Sequence, residues 1–318
     1  MPEPANADRV LVRTLRALGA ERGIAVTPAS GGWIVRLSRG GAVAHVVGYT
    51  FPLNLASAHL LAQDKAAAAE ALGAAGVPCV PHRLVLRPGL ADYVGARGNW
   101  AALLEHFHAS GGDVVVKPND GTGGLGVERA RTVRELEAAV HAGFAEHRAL
   151  SVSPFRPLAM EARAVVLDGE VLLAYEKHRL SVTGDGRRTL GALAAEASAA
   201  VPPGASGEIV PAGETRLVDW RHNLGRGARP AALAPEAREA VSALALRAAD
   251  ALGLRFASVD VVAPEAGAQD TGAPAASGGL LVMEANAGVM LEAYARAAPD
   301  GPEAARRVYG AALDAVFG

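Results

Sequence analysis

A single cysteine, Cys79, stands in the whole chain, so no internal disulfide can form and the protein suits a reducing compartment. Set in G-V-P-C-V-P, it reads as a small apolar filler rather than a nucleophile. An excess of one charge is also missing. Lys plus Arg total 31 against 33 Asp plus Glu, which removes the electrostatic case for a nucleic-acid partner. No uninterrupted apolar stretch is long enough to span a bilayer, and the opening M-P-E-P-A-N-A-D lacks a basic-then-apolar targeting pattern. The expectation is a cytoplasmic protein that binds neither membrane nor nucleic acid. Nine histidines are scattered without metal-ligand spacing, and H-F-H at His106 to His108 reads as the end of a helix. There is no internal repeat. What remains is a 318-residue chain able to bury a sizeable core in two or three subdomains.

Within it, V-V-V-K-P-N-D-G-T-G-G-L-G-V (Val114 to Val127) is the most informative stretch. An apolar run delivers Lys117, Pro118 holds that lysine extended, and a loop with four glycines follows. Such a loop can lay backbone N–H groups against phosphate oxygens, because glycine lets the main chain approach without a Cβ in the way. No Gly-Lys-Ser/Thr follows, so this is not a Walker loop, and Gly121, Gly123, Gly124 and Gly126 do not spell G-x-G-x-x-G. The simpler alternative is a hairpin tip that carries nothing.

Far along the chain, F-A-S-V-D-V-V (Phe256 to Val262) and L-L-V-M-E-A-N (Leu280 to Asn286) alternate like half-buried strands. The stretch Pro264 to Gly279 between them reads as an exposed low-complexity connection. Period-2 geometry puts Glu284 and Asn286 on one face, and antiparallel pairing would set Asp260 beside them. Two carboxylates and an amide oxygen make a hard-oxygen set suited to Mg²⁺. Carboxylates embedded in Val, Leu and Met must be paired or metal-bound, whereas a solvated surface pair is the plainer alternative.

Elsewhere the pattern predicts a helix from about Asp8 to Gly19, then strands at Ile24 to Val26, Trp33 to Leu37 and Ala42 to Val47. Asn54 is expected to cap the helix carrying Lys65, which ends near Gly76-Val77-Pro78. Thr132 and Glu135 form a capping box opening a helix to about Glu146. Ala192 to Gly213 reads as a surface excursion, and Pro235 opens a long Ala-rich helix ending near Gly253.

The glycine loop after V-V-K-P, the distant D-V-V and the late M-E-A-N together resemble the ATP-grasp superfamily, from about Gln63 onward. M-E-A-R-A-V-V-L-D-G-E-V (Met160 to Val171) and S-V-T-G-D-G-R-R-T-L (Ser181 to Leu190) are similar to glutathione-synthetase-like and cyanophycin-synthetase modules. R-H-N-L-G-R-G (Arg221 to Gly227) resembles the R-S-N-L-H-R-G segment of the ribosomal-protein-S6 glutamate ligase group. The resemblance implies an α+β ATP-grasp fold, two subdomains clamping ATP. Its division would be a short pre-grasp region at about 1–62, a lid subdomain at about 112–155 and a catalytic subdomain at about 156–318.

It also implies roles. Lys65 and Lys117 would neutralise ATP phosphates, and Thr122, Gly123, Gly124, Leu125 and Gly126 would close over them. Glu161 would bind the ribose, and Asp260, Glu284 and Asn286 would hold one or two Mg²⁺ ions, with Mn²⁺ as a substitute. Lys177, Arg221, Asn223 and Arg226 would face the transferred phosphoryl group. Where relatives carry a Glu-Glu pair in the adenine hinge this chain reads S-V-S-P-F, leaving backbone groups near Ser153 and Phe155 to recognise the base. After Asn286 the usual Pro-Gly is replaced by Ala287-Gly288-Val289. Glu292 either binds a substrate ammonium group or faces solvent. The implied activity is an ADP-forming carboxylate–amine ligase acting on an amino acid or short peptide. A small-molecule kinase and a non-catalytic nucleotide-binding protein are the alternatives. The shortness of the pre-grasp region before Lys65 leaves the substrate pocket either open on that side or completed by a second subunit, and a homodimer is the preferred reading.

Overall fold

A computed structural model describes residues 8–90, 100–196, 207–265 and 279–318. The chain opens with the helix Val10–Arg22 and an antiparallel meander of β1 (Ala25–Ala29), β2 (Ile34–Arg39) and β3 (Ala42–Val47). Next come β4 (Arg83–Leu86), β5 (Val114–Pro118), β6 (Glu128–Ala130) and β7 (Ala149–Pro154), arranged β4-β7-β5-β6. Two helices, Trp100–Ala109 and Val133–Glu146, pack on this smaller sheet and give it its own core around Leu103, Phe107, Val116, Leu136 and Val152. β8 (Leu158–Leu167) and β9 (Glu170–His178) begin the largest sheet, and β10 (Ser181–Thr183) and β11 (Thr215–Leu217) form a ribbon beside it. β12 (Arg229–Ala231), β13 (Phe256–Pro264) and β14 (Leu281–Asn286) complete the large sheet in the order β12-β9-β8-β13-β14. Every pairing between these strands is antiparallel.

The large sheet is buried on both faces, which is why β8 and β13 are almost continuously apolar. One face (Ala162, Ala164, Val166, Ala257, Val259, Val261) packs on the helix Pro235–Ala251. The other (Val165, Leu167, Leu173, Tyr175, Phe256) shares a core with the first helix, the meander and the C-terminal helix Gly301–Phe317. Further along that second face the side chains turn polar, and the site lies there. Among the described residues no helix is long and apolar enough to cross a membrane.

Several expectations hold. Thr132 Oγ1 accepts the Glu135 N–H at 3.1 Å, while Glu135 reaches back to the Arg131 N–H at 2.6 Å. The Pro235 helix, the β13/β14 hairpin strands and the helical ending at His106 to His108 are also present. Cys79 is a half-buried thiol whose pKa burial raises, as befits a filler.

Three expectations are corrected. Asn54 caps no helix: Lys65 opens its own helix, Lys65–Ala74, capped by Asp64 Oδ1 on Ala67 N at 2.9 Å. Asn54 instead pins the start of β13, accepting from Arg255 N and Phe256 N at 2.9 Å and donating to Phe256 O at 2.7 Å. Part of Ala192 to Gly213 is also not surface. Leu193, Ala194 and Val210 are buried in a small core with Leu180, Val182, Leu190 and Val218. The helical spacing of the aliphatic residues drives that burial. Residues 197–206 of that excursion and 266–278 of the low-complexity connection lie outside the described residues.

Glu292 is the third. It is buried and caps the first helix from the far end of the chain, its Oε2 accepting the Val10 N–H at 2.8 Å and its Oε1 the Leu11 N–H at 3.2 Å. That helix has no side-chain cap of its own. A carboxylate there satisfies two orphan donors and complements the helix dipole. Glu292→Ala is expected to cost about 1.5–3 kcal/mol of stability, with Glu292→Gln losing less because one acceptor survives. Thermal denaturation of both variants checks this, and an unchanged melting temperature in Glu292→Ala contradicts it.

Candidate functional site

Alternation along β8, β9, β13 and β14 projects Glu161, Arg163, Lys177, Asp260, Glu284 and Asn286 from one face of the large sheet. Asp260 sits opposite Glu284 on β14 and opposite Arg163 on β8, as the hairpin reading requires. Asp260 is 3% exposed and fully engaged. Arg163 grips it with Nε on Oδ1 and a terminal nitrogen on Oδ2, both at 2.7 Å, and Lys177 Nζ lies 3.1 Å from Oδ2. Burial alone would raise the Asp260 pKa, but Arg163 and Lys177 outweigh it and hold the carboxyl well below the usual range. Glu161, implied for the ribose, meets the Lys177 ammonium at 2.5 Å. Burial would lower the Lys177 pKa, yet Asp260 and Glu161 raise it.

The smaller sheet supplies a second set of charges. Lys117 is 8% exposed on β5, opposite Ser151 of β7. Burial lowers its pKa to about 8, with Glu284 opposing the shift and Lys65 adding to it. Lys65 Nζ donates to Gly121 O at 2.5 Å and stands 3.9 Å from Glu284 Oε2. The loop after β5 is tied to the start of the Lys65 helix, since Asn119 accepts the Lys65 N–H on its carbonyl and the Ala66 N–H on its side chain, both at 3.2 Å. A neutral histidine bridges the two sheets. Ser151 Oγ donates to His82 Nδ1 at 3.0 Å and His82 Nε2 donates to Met283 O at 3.3 Å, burial holding the imidazole pKa well below its ordinary value.

Thr122 to Gly126 form an exposed turn in which Gly123, Gly124 and Gly126 have positive φ. Asn223 Nδ2 donates to Gly123 O at 2.8 Å, and a Cβ on Gly124 would lie 2.7 Å from that same nitrogen. Glycine is therefore favoured there by its positive φ, and a side chain would also displace the Asn223 amide. Arg221 and Arg226 flank Asn223, and both contact the buried Asp219. At the hinge, Ser153 is buried, and the Phe155 N–H is committed to Asp113 O at 2.9 Å. The Phe155 ring lies under the Arg129 guanidinium, 3.4 Å from it, with Trp220 against its edge. The hinge donor nearest Phe155 is thus already used.

A magnesium site can be tested on its donors. Among the described residues there is no group of three or more His, Cys, Asp or Glu able to hold a metal. Asp260, Glu284 and Asn286 nevertheless present two carboxylates and an amide on paired strands; Asn286 donates to Glu284 at 3.2 Å and keeps its own oxygen for a metal, while Asp260 would have to share its oxygens with Arg163 and Lys177. That hard-oxygen set fits Mg²⁺ in kind. The charge balance says how the ion would enter. Lys65, Lys117, Arg163 and Lys177 face Glu161, Asp260 and Glu284, four cations against three anions. Such a site favours an anion first, so the metal is suited to arrive with a polyphosphate.

Arg163, His82 and Asp219 escaped the sequence reading. Arg163 had a signal, because it lies two residues from Glu161 and so shares its strand face.

No family model matches the chain. A stretch of 139 residues is 32% identical to a cyanophycin synthetase from Trichormus variabilis, taking in 43% of this chain and 14% of that protein. The solved bifunctional glutathione synthetase from Pasteurella multocida is similar over 93% of this chain and 44% of its own, with TM-score 0.53 and 17% identity. D-alanine–D-alanine ligase from Bacillus anthracis is similar over 83% of this chain and 69% of its own, with TM-score 0.51 and 16% identity. The chain thus spans less than half of the cyanophycin synthetase and of the glutathione synthetase. Two α+β layers, with the glycine loop on one and the carboxylates on the other, and the likeness to these solved structures give this chain the ATP-grasp fold.

Proposed function

We propose that the protein is an ATP-dependent carboxylate–amine ligase that forms ADP and an amide through an acyl phosphate, on an amino acid or short peptide. The observation that carries this reading is the large-sheet face of Lys177, Asp260 and Glu284 set against Lys117 of the smaller sheet and Lys65, which reaches the glycine segment at Gly121 O. The solved neighbours named as a glutathione synthetase and a D-alanine–D-alanine ligase support an amide-forming reaction.

In this reading a carboxylate oxygen attacks the terminal phosphorus of ATP, the bond to the bridging oxygen breaks, and ADP leaves. An amine then attacks the acyl carbon, phosphate departs, and the amine gives up a proton. Phosphoryl transfer needs positioning and charge neutralisation more than covalent help. Lys65 and Lys117 would bind the phosphates, and Thr122 to Gly126, in a lid of residues about 112–155, would exclude water from the acyl phosphate. Glu161 would leave Lys177 for the ribose, freeing that ammonium for the phosphoryl group that Arg221, Asn223 and Arg226 also face. Asp260, Glu284 and Asn286 would hold Mg²⁺, which neutralises phosphate charge when bound.

The test is phosphate release from ATP and Mg²⁺ across a panel of amino acids and dipeptides, with mass spectrometry of the products. ADP, phosphate and an amide are expected, with turnover falling at least about a hundredfold in Glu284→Gln. A phosphorylated product without amide replaces the ligase by a kinase. Nucleotide binding with no turnover on any pair counts against catalysis on amino acids and dipeptides.

A further inference from the structure

Asp219 is only 4% exposed, and it divides its carboxylate between two arginines. Oδ1 accepts the Arg221 Nε–H and the Arg221 backbone N–H, each at 3.1 Å, and Oδ2 accepts the Arg226 Nε–H at 2.7 Å. This grip differs from the one Arg163 makes on Asp260. There, Nε and a terminal nitrogen both engage the carboxylate, and the planar fork is spent on it. Asp219 holds each guanidinium by Nε alone. The terminal nitrogens of Arg226 have no partner among the described residues, and Arg221 places one of its own on Val127 O at the long distance of 3.3 Å. One carboxylate fixes two half-buried guanidinium groups and leaves a net positive charge with the terminal nitrogens of Arg226 unspent.

The surrounding turn sets where those donors stand. Val127 directly follows the glycine loop, and Asn223 of the same turn holds Gly123 O at 2.8 Å. On the other side His222 Nδ1–H donates to the Lys177 carbonyl at 2.7 Å. The turn therefore spans from the glycine loop to the strand that carries Lys177.

We propose that Asp219 is a positioning residue, which aims the terminal edges of Arg221 and Arg226 at the terminal phosphoryl group of a bound nucleoside triphosphate. The proposal rests on the nucleotide reading above and concerns a residue that this reading did not use. It predicts selectivity for the third phosphate, since the two arginines add forked donors to that group and not to a diphosphate.

Calorimetric titration of the full chain with MgADP and with the magnesium complex of the β,γ-imido analogue of ATP tests this. The wild type is expected to favour the analogue. Asp219→Asn should keep MgADP affinity while its preference for the analogue drops at least about tenfold. Asp219→Asn added to Arg221→Gln and Arg226→Gln should change that preference no further, which a merely structural role would not produce. Should Asp219→Asn fail to fold, Arg226→Lys, which keeps the charge without the Nε grip, is expected to show a loss of the same kind. An unchanged ratio in the folded variant, or an additive loss in the arginine background, overturns the assignment. If the wild type binds neither nucleotide, the nucleotide reading itself has failed and takes this inference with it.

Discussion

Replacing Asp260 by alanine is expected to destabilise the protein by about 3 kcal/mol, over and above any effect on turnover. Removing one partner of a buried pair leaves the other charge without compensation, which costs about 3–5 kcal/mol. Here the lower end applies. Lys177 keeps Glu161 at 2.5 Å, and the Arg163 side chain, 19% exposed, retains some contact with water. The alanine also leaves a void beside two cations in a strand otherwise buried along seven successive residues. Glu284 provides the contrast. Its side chain is 27% exposed, lies 3.2 Å from Asn286 and 3.9 Å from Lys65, and supports the charge of buried Lys117, which can shed its proton when that support goes, so Glu284→Ala should cost about 1 kcal/mol, clearly less than Asp260→Ala. Chemical denaturation of both variants separates them: a large loss for Asp260→Ala and a smaller one for Glu284→Ala is expected. A wild-type midpoint for Asp260→Ala would mean that the Arg163–Asp260–Lys177 cluster contributes nothing to folding. The same contrast makes Glu284, and not Asp260, the position at which lost activity reports on chemistry alone.

The readable and unreadable parts of the site divide by the range of the interaction. Asp260, Glu284 and Asn286 were legible because a period-2 pattern in two strands joined by a polar stretch fixes both face and neighbour. Arg163 needed one more step, the face it shares with Glu161. Glu292 was illegible: its partners, Val10 and Leu11, stand 282 and 281 residues away, and nothing local in L-E-A-Y marks a cap for a distant helix. Asn54 misled for the opposite reason. An asparagine before an Ala-rich run is a good local cap candidate, but the exposed backbone at the start of β13 competed for it and won. His82 depends on two sheets meeting, at Ser151 and Met283, and the spacing within either strand says nothing of that. The meander and first helix pack into one core with the C-terminal helix, a contact that hydrophobic periodicity announces for each element without naming the partner.

Affinity for MgATP is expected to fall by roughly tenfold per pH unit between about pH 8 and 10, because Lys117 loses its proton in that range. Burial lowers the Lys117 pKa from 10.5 to about 8, with Glu284 resisting and Lys65 assisting the shift. The sign follows from which form the fold disfavours. Below about 8 the folded protein carries a buried ammonium at a cost. As pH rises from there to 10.5 the folded state has released a proton that the unfolded state retains, so this group's contribution to stability becomes more favourable. Phosphate binding runs the other way. A polyanion beside the amine favours the charged form and lifts its pKa, so the nucleotide must bring a proton with it once the free protein has lost one. Calorimetry in buffers of different ionisation enthalpy is expected to show little proton uptake near about pH 7 and close to one proton near about pH 9. Lys117→Met should lose most affinity below about pH 8, approach the wild type as pH rises, and take up no proton, whereas Lys117→Arg, whose guanidinium stays charged, should bind without the pH dependence. A wild-type affinity that stays flat from about pH 7 to 10 would mean that Lys117 does not carry the phosphate charge. Lys65, which reaches Glu284 and the Gly121 carbonyl, would then be the cation that does.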